Sequence, residues 1–274
     1  MTKSANNLIV LIDAHFHPDA LYSRQPDFAS SYKELGVAGL AYSHSIKNLE
    51  YCKKLMEGAG VCLYSMGIHP QLPIMDKATE LEEACSKNLI HAIGECGFDF
   101  FDDQYGMPRT KKNEKAQRAV FEFQLALAQK YRLPVILHIR KAMDLVFEYL
   151  NSLSKLEAVI FHSWPGPINE AKAILKRSPN TLFSFGGSIL SGNKKARGSA
   201  AELPVTAIVT ETDAPYQPPR EAPVPGARLL RTYSSQLDIK LTLGELSFLR
   251  NSEKPLLEQQ IEQNFIRVFG HAFL

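Results

Sequence analysis

Short apolar runs alternate with longer amphipathic stretches along the whole chain, and the apolar runs repeatedly finish next to a histidine or a carboxylate. The strand candidates are Leu8–Asp13, Val37–Tyr42, Val61–Gly67, Ile90–Glu95, Pro134–His138, Ala158–His162, Thr181–Gly186 and Val205–Thr210. Each is rich in β-branched or aromatic residues and is bounded by Gly, Pro or polar positions. Between them lie helical stripes such as Ala116, Val120, Phe123 and Leu127, and later Leu257, Ile261, Phe265 and Val268. Strand alternating with helix implies parallel strands joined by right-handed crossovers. Eight such strands predict a single (β/α)₈ TIM-type barrel, with room for distortion; a doubly wound open sheet is the competing fold.

The 274 residues suit one barrel domain over 1–274. No Pro/Gly/Ser linker divides the chain and no internal repeat runs through it. The Pro-rich stretch from Pro215 to Pro225 reads as a long surface loop after the eighth strand. A composition of 45% hydrophobic and 22% charged residues is that of a globular protein and argues against disorder.

Cys52, Cys62, Cys85 and Cys96 show neither a C-x-x-C pairing nor finger spacing, which predicts reduced, packed thiols. Cys96 follows a carboxylate on a strand and so points to the opposite face, toward packing. The net charge of +2 is too small to predict nucleic-acid binding by itself. The apolar run Leu8 to Ile12 is far short of a signal-peptide core or a membrane span. The expectation is a cytoplasmic protein, with no membrane association and no obligate protein partner.

Chemistry concentrates where the strands end. The first run leads into Asp13-Ala14-His15-Phe16-His17-Pro18, placing His15 and His17 two apart and on one face. Gly67-Ile68-His69-Pro70 follows the third run, Glu95 ends the fourth, His138 the fifth and His162 the sixth; the eighth leads into Glu211-Thr212-Asp213. An isolated H-x-H is most simply a pair of core histidines. In a parallel barrel, however, all these ends share one rim, where barrel active sites lie.

The candidate metal ligands are His15, His17, Glu95, His138, His162 and Asp213. Four neutral imidazoles and two carboxylates sum to −2, and two divalent cations would bring the site to +2. That charge suits a hydroxide and an anionic phosphate. Paired cations roughly 3.5–4 Å apart need a shared anionic ligand, and Glu95 is the best placed. Four imidazoles favour Zn, Mn, Fe or Ni, whereas Mg prefers oxygen.

With these residues the chain resembles the TatD family of metal-dependent deoxyribonucleases, within the wider amidohydrolase-like barrels. The matches are D-A-H-F-H at 13–17, G-I-H-P at 67–70, G-E-C-G-F-D at 94–99 and the Gln117 to Phe123 helix segment. They continue with P-V-I-L-H-I-R at 134–140, F-H-S-W-P-G at 161–166 and E-T-D-A-P-Y at 211–216, in the family's order over almost the whole chain. The resemblance implies a hydrolase cutting phosphodiester bonds in DNA, often as a 3′-to-5′ exonuclease active with Mg or Mn. It implies one metal held by His15, His17, Glu95 and Asp213, and a second by Glu95, His138 and His162. Asp213 would orient or deprotonate the attacking water, and His69 would contact the phosphate.

Three departures fall on the substrate-facing rim. Gln71 stands where the family usually has a second His, and Lys141 where it usually has an acidic residue. Val224 to Arg231 replaces an R-x-N-x-P-like signature. They keep open an alternative metallohydrolase chemistry, such as D-aminoacyl-tRNA deacylation or lactone hydrolysis. A barrel kept only as a binding module is disfavoured by the intact ligand set.

Other residues have two readings. Arg140, two past His138, either contacts phosphate or serves as an ion pair or helix start. Glu211 is a partner that would orient a histidine. His44, His91 and His271 read as loop, structural or solvated. Arg109, Lys111, Lys112, Lys115 and Arg118, with Lys194, Lys195 and Arg197, either steer a polyanion or form solvated faces. Gly186-Gly187 either approaches a phosphate or makes a turn.

Overall fold

A computed structural model describes residues 10–103, 106–219 and 231–270. Eight strands follow in chain order: β1 (Leu11–Phe16), β2 (Val37–Ser43), β3 (Cys62–Met66), β4 (Ala92–Asp99), β5 (Val135–Arg140), β6 (Val159–Phe161), β7 (Thr181–Phe185) and β8 (Ile208–Thr210). They form one sheet in which every strand pairs in parallel with its sequence neighbour. That order excludes the doubly wound alternative, whose strand order must reverse.

The sheet curls until β8 meets β1. There the Thr210 hydroxyl donates to the Ile12 carbonyl at 2.6 Å. Just beyond, Asp213 N donates to His15 O at 2.9 Å and His17 N to Ala214 O at 2.8 Å. Both sides of this seam therefore carry candidate ligands.

Every strand differs from the sequence reading at one bound or both. β1 begins at Leu11; Leu8 and Ile9 lie outside the described residues. Val205–Ala207 is a 3₁₀ turn following Pro204, and β8 starts only at Ile208. His17 lies past β1 and leads into the helix Pro18–Tyr22. β4 does not stop at Glu95 but runs on to Asp99.

The reason for the last difference is a register shift between Ile93 and Cys96. A bulge of this kind re-aims a side chain without ending the strand. Gly94 and Gly97 take φ of 151° and 132°, which L side chains rarely adopt. A Cβ on Gly94 would stand 2.6 Å from Ile136 Cβ. These glycines let β4 pack closely on β5 while Glu95 turns into the barrel mouth.

The helix Lys111–Tyr131 starts at Thr110, whose hydroxyl accepts from Asn113 N, and ends before Pro134. Its buried face includes Val120, Phe121, Leu127 and Ala128, as an amphipathic stripe requires. It also buries Gln117 and Gln124, which the apolar pattern leaves out. Gln124 accepts from Ile68 N (2.8 Å) and donates to Ile68 O (3.1 Å). Gln117 does the same for Asp99, at 2.9 and 2.8 Å. One helix thus clamps the backbone beside His69 and at the end of β4. No helix of the described residues is long and apolar enough to cross a membrane.

Candidate metal centre

All six candidate ligands, and His69, converge at the C-terminal mouth of the barrel. Glu95 lies between two groups of imidazoles. Its Oε1 is 3.2 Å from His15 Nε2 and 3.4 Å from His17 Nε2. Its Oε2 is 3.1 Å from His138 Nδ1, 3.3 Å from His162 Nε2 and 3.5 Å from His69 Nε2. Asp213 Oδ1 joins the first group, 3.2 Å from His17 Nε2 and 3.7 Å from His15 Nε2.

Spacings between the nitrogens bear on what belongs among them. His15 Nε2 and His17 Nε2 are 3.2 Å apart, and His138 Nδ1 and His162 Nε2 are 3.1 Å apart. Ligands about 2.1 Å from a shared cation stand roughly 3–3.5 Å from one another. His138 Nε2 is 3.0 Å from Asp99 Oδ2, so a neutral ring donating there turns its Nδ1 lone pair toward Glu95 and His162. Lone pairs facing lone pairs in a buried site require positive charge between them, from a proton or a metal ion. Glu95 Oε1 is also buried without a hydrogen bond to the protein. The donor set therefore fits metal ions, and three groups have the necessary closeness: His15–Glu95–His162, His15–His17–Asp213 and His69–Glu95–His138.

Around this centre stands a layer in which sequence reasoning missed Asp99 and Gln217. Asp99 is buried and its Oδ2 accepts from His138, from Gln71 Nε2 at 2.9 Å and from Arg140 Nη1 at 3.2 Å. A carboxylate behind a histidine fixes its tautomer and orientation. Asp99 stands in G-E-C-G-F-D, four residues past Glu95 and on the same strand face, and that spacing is the one sequence signal that points to it. Gln71 and Arg140 are bound into the same group, and Arg140 also pairs with Asp103 at 2.9 Å. Glu211 stands 3.6 Å from His162 Nδ1, an ion-pair rather than hydrogen-bond distance. Gln217 donates to Asp213 Oδ2 at 2.7 Å and accepts from Ser163 Oγ at 2.8 Å, which leaves Oδ1 facing the imidazoles. Asp213 itself has φ of 54°, in the left-handed region.

Residues 12–270 match the model of the family described as TatD related DNase. The chain belongs to the TatD-related DNase family. It is 26% identical over 270 residues to an uncharacterized metal-dependent hydrolase of Buchnera aphidicola subsp. Baizongia pistaciae, covering 95% of this chain and 96% of that one. It is 28% identical over 253 residues to the 3′-5′ ssDNA/RNA exonuclease TatD of Pantoea ananatis, covering 88% and 91%. In fold it is similar to a TatD homolog from Escherichia coli K12, with a TM-score of 0.79 and 23% identity over 95% of this chain and 98% of that one.

The electrostatics of this family member's centre set burial against paired charges. Burial raises the carboxyl pKa of Glu95, but the charges of His15, His69 and His162 and the bond from His138 outweigh it and hold the group well below the ordinary range. Asp213 is likewise lowered, by His17, His162 and His15 against burial. Burial pulls the His162 imidazolium down, yet Glu95, Glu211 and Asp213 together raise it to about 10. His17 and His138 are also raised against burial by their carboxylate partners. His69 is lowered, chiefly by burial. Both carboxylates are ionised at neutral pH, while His162 carries a proton unless a metal takes its place.

The centre opens into a cavity of about 1330 Å³, bordered by His69, Gln71, Phe101, Arg140, Lys141 and Tyr216 among others. The first basic cluster is partly neutralised: Arg109 pairs with Glu114 and Asp144, and Arg118 with Glu114 and Glu148. In the second, Arg197 pairs with Glu245. His91 lies away from the mouth, with Nδ1 accepting from Tyr64 N. Gly186 and Gly187 sit where β7 turns into the short helix Gly187–Leu190. The four cysteines are unpaired, and Cys96 Sγ faces Ile136 O rather than the centre. Residues Val224 to Leu230 of the third rim departure, and His271, lie outside the described residues.

Proposed function

We propose that this chain is a two-metal phosphodiesterase acting on single-stranded nucleic acid, as a 3′-to-5′ exonuclease built from one catalytic domain over 1–274. The observation that carries the reading is Glu95, whose two oxygens are divided between His15 and His17 on one side and His138 and His162 on the other. The curated relatives named as ssDNA/RNA exonucleases support the choice of substrate.

In this reading one divalent cation is held by His15, His17, Glu95 and Asp213, and the other by Glu95, His138 and His162. The imidazole-rich set suits Zn, Mn, Fe or Ni, with Mg or Mn serving in turnover. Bound there, the cations supply the positive charge that activates water and offsets charge on the phosphoryl oxygens.

Residues of the chain do the rest. Asp213 is ionised and is held by Gln217 at Oδ2; with Oδ1 turned to the ligand set, its carboxylate would also orient the attacking water and accept its proton. His69 borders the cavity beside Glu95 and contacts the phosphate. Arg140, held by Asp99 and Asp103, fixes Asp99 behind His138 and thereby serves the phosphate-binding wall. Gln71 supports the same carboxylate and leaves the metal-facing set intact. Four unpaired cysteines suit a reducing compartment such as the cytoplasm.

The test is direct. Purified protein with Mn²⁺ or Mg²⁺ should shorten a 5′-labelled single-stranded oligonucleotide one nucleotide at a time from its 3′ end, and chelation should stop it. Faster turnover of aminoacyl esters or lactones than of any phosphodiester would overturn the reading.

A further inference from the structure

We propose that Lys141, seated on Phe101, is a second anion subsite that takes the phosphate next to the scissile one. This rests on the phosphodiesterase reading and adds the part of the site that favours a chain over a single ester.

Charge at the mouth motivates the assignment. Among the described residues, the cavity wall carries two permanent cations, Arg140 and Lys141. Arg140 is already engaged by Asp99 at 3.2 Å and Asp103 at 2.9 Å. Among the described residues no carboxylate lies within ion-pairing distance of Lys141, since the ion pairs there involve other cations. A polyanion entering this cavity therefore meets one cation already balanced and one that is not.

Position is fixed as well as charge. Lys141 directly follows β5, three residues past His138, and three extended residues span roughly 10 Å. It has φ of 54°, a conformation that non-glycine residues seldom adopt, and the chain turns there into the helix Met143–Leu153. Its Nζ stands 4.6 Å from the centroid of the Phe101 ring, and the Arg140 guanidinium carbon stands 4.2 Å from the same centroid. The aromatic face holds both cations at the mouth, while Phe101 remains 38% exposed on the cavity wall. A lysine is suited to a phosphate because its ammonium acts as a compact charge with three donors.

A thymidine dinucleotide has one phosphate and a trinucleotide two, so the change that a Lys141 substitution makes in their kcat/KM ratio reads the added nucleotide, whose one charge is the neighbouring phosphate. Wild type should prefer the trinucleotide. Lys141→Ala should lower that preference about 5-fold, as for one solvent-exposed charge pair, and Lys141→Glu should lower it further. Lys141→Arg should restore it. On a longer oligonucleotide, Lys141→Ala should also flatten the plot of log KM against log salt by roughly 0.7, the value for one phosphate contact on a single strand. Cleavage of both substrates with the same ratio in wild type, Lys141→Ala and Lys141→Glu would overturn the subsite and leave the phosphodiesterase standing. No cleavage of either by metal-loaded wild type would overturn both.

Discussion

The backbone N–H of Asp213 donates to the carbonyl of His15 across 2.9 Å, although His15 belongs to the first strand of the sheet and Asp213 follows the last. The seam that closes the sheet is therefore also the bond that sets Asp213 Oδ1 against His15 and His17. Closing the barrel and assembling the centre are one event, and ions at the centre should stabilise the fold.

Metal binding should accordingly appear in thermal stability. An ion present at 100 times its Kd adds about 2.7 kcal/mol, worth roughly 5–10 °C in a chain of this size. Mn²⁺ or Zn²⁺ should raise the melting temperature of metal-stripped protein by that amount. Glu95→Gln, which removes the charge shared by both imidazole groups, should abolish most of the rise. An unchanged melting curve on metal addition to wild type would count against the centre.

Asp99 should matter without touching a metal. It holds His138 Nε2 at 3.0 Å and organises Gln71 and Arg140. Asp99→Asn should weaken metal affinity or activity about 10- to 100-fold, the usual range for a carboxylate behind a metal-bound histidine. Metal titration followed by elemental analysis would measure it. Affinity within threefold of wild type would remove Asp99 from the account.

Protons should leave as metal enters. His162 is raised to about 10 in the metal-free protein, so at pH 7.5 it is an imidazolium and must give up its proton to coordinate. Because its folded pKa is raised, its contribution to metal-free stability is complete below the unfolded value near 6.5 and fades as pH climbs through 10. Metal affinity has the opposite trend and should rise up to tenfold per pH unit between 7 and 9. Calorimetry in two buffers of different ionisation enthalpy should find at least one proton released per protein at pH 7.5; none released would contradict this picture.

Gln124 should be a stability residue with a catalytic consequence. Truncating it to Ala strands the buried N–H and C=O of Ile68, the residue before His69. Each unsatisfied group costs about 1–3 kcal/mol, so Gln124→Ala should lose about 2–6 kcal/mol, read as a lower denaturant midpoint. Gln124→Glu, which keeps the acceptor but sets a buried carboxylate oxygen against the Ile68 carbonyl, should lose at least as much. Equal midpoints for all three proteins would mean that Ile68 finds other partners.

Much of this arrangement was legible in the chain. Parallel strands, their sequential order and the imidazoles near their C-terminal ends follow from short β-branched runs alternating with helical stripes. The Cys96 side chain, inferred to face away from the site by strand alternation, does so. What escaped was local geometry that breaks alternation. Glu95 reads as a strand end, but β4 continues four residues past it, because a bulge flanked by positive-φ glycines does what a chain ending would otherwise do.

The sequence by itself determined which chemical groups exist and roughly which rim they reach, because strand period and helix period are set by neighbours along the chain. Only the tertiary structure decided how those groups share one another. Glu95 meets His138 across 43 positions, Asp99 meets the same ring across 39, and Gln124 meets Ile68 across 56. Such contacts leave no periodic trace, since they depend on where distant segments come to rest, and on that the division of Glu95's two oxygens depends as well.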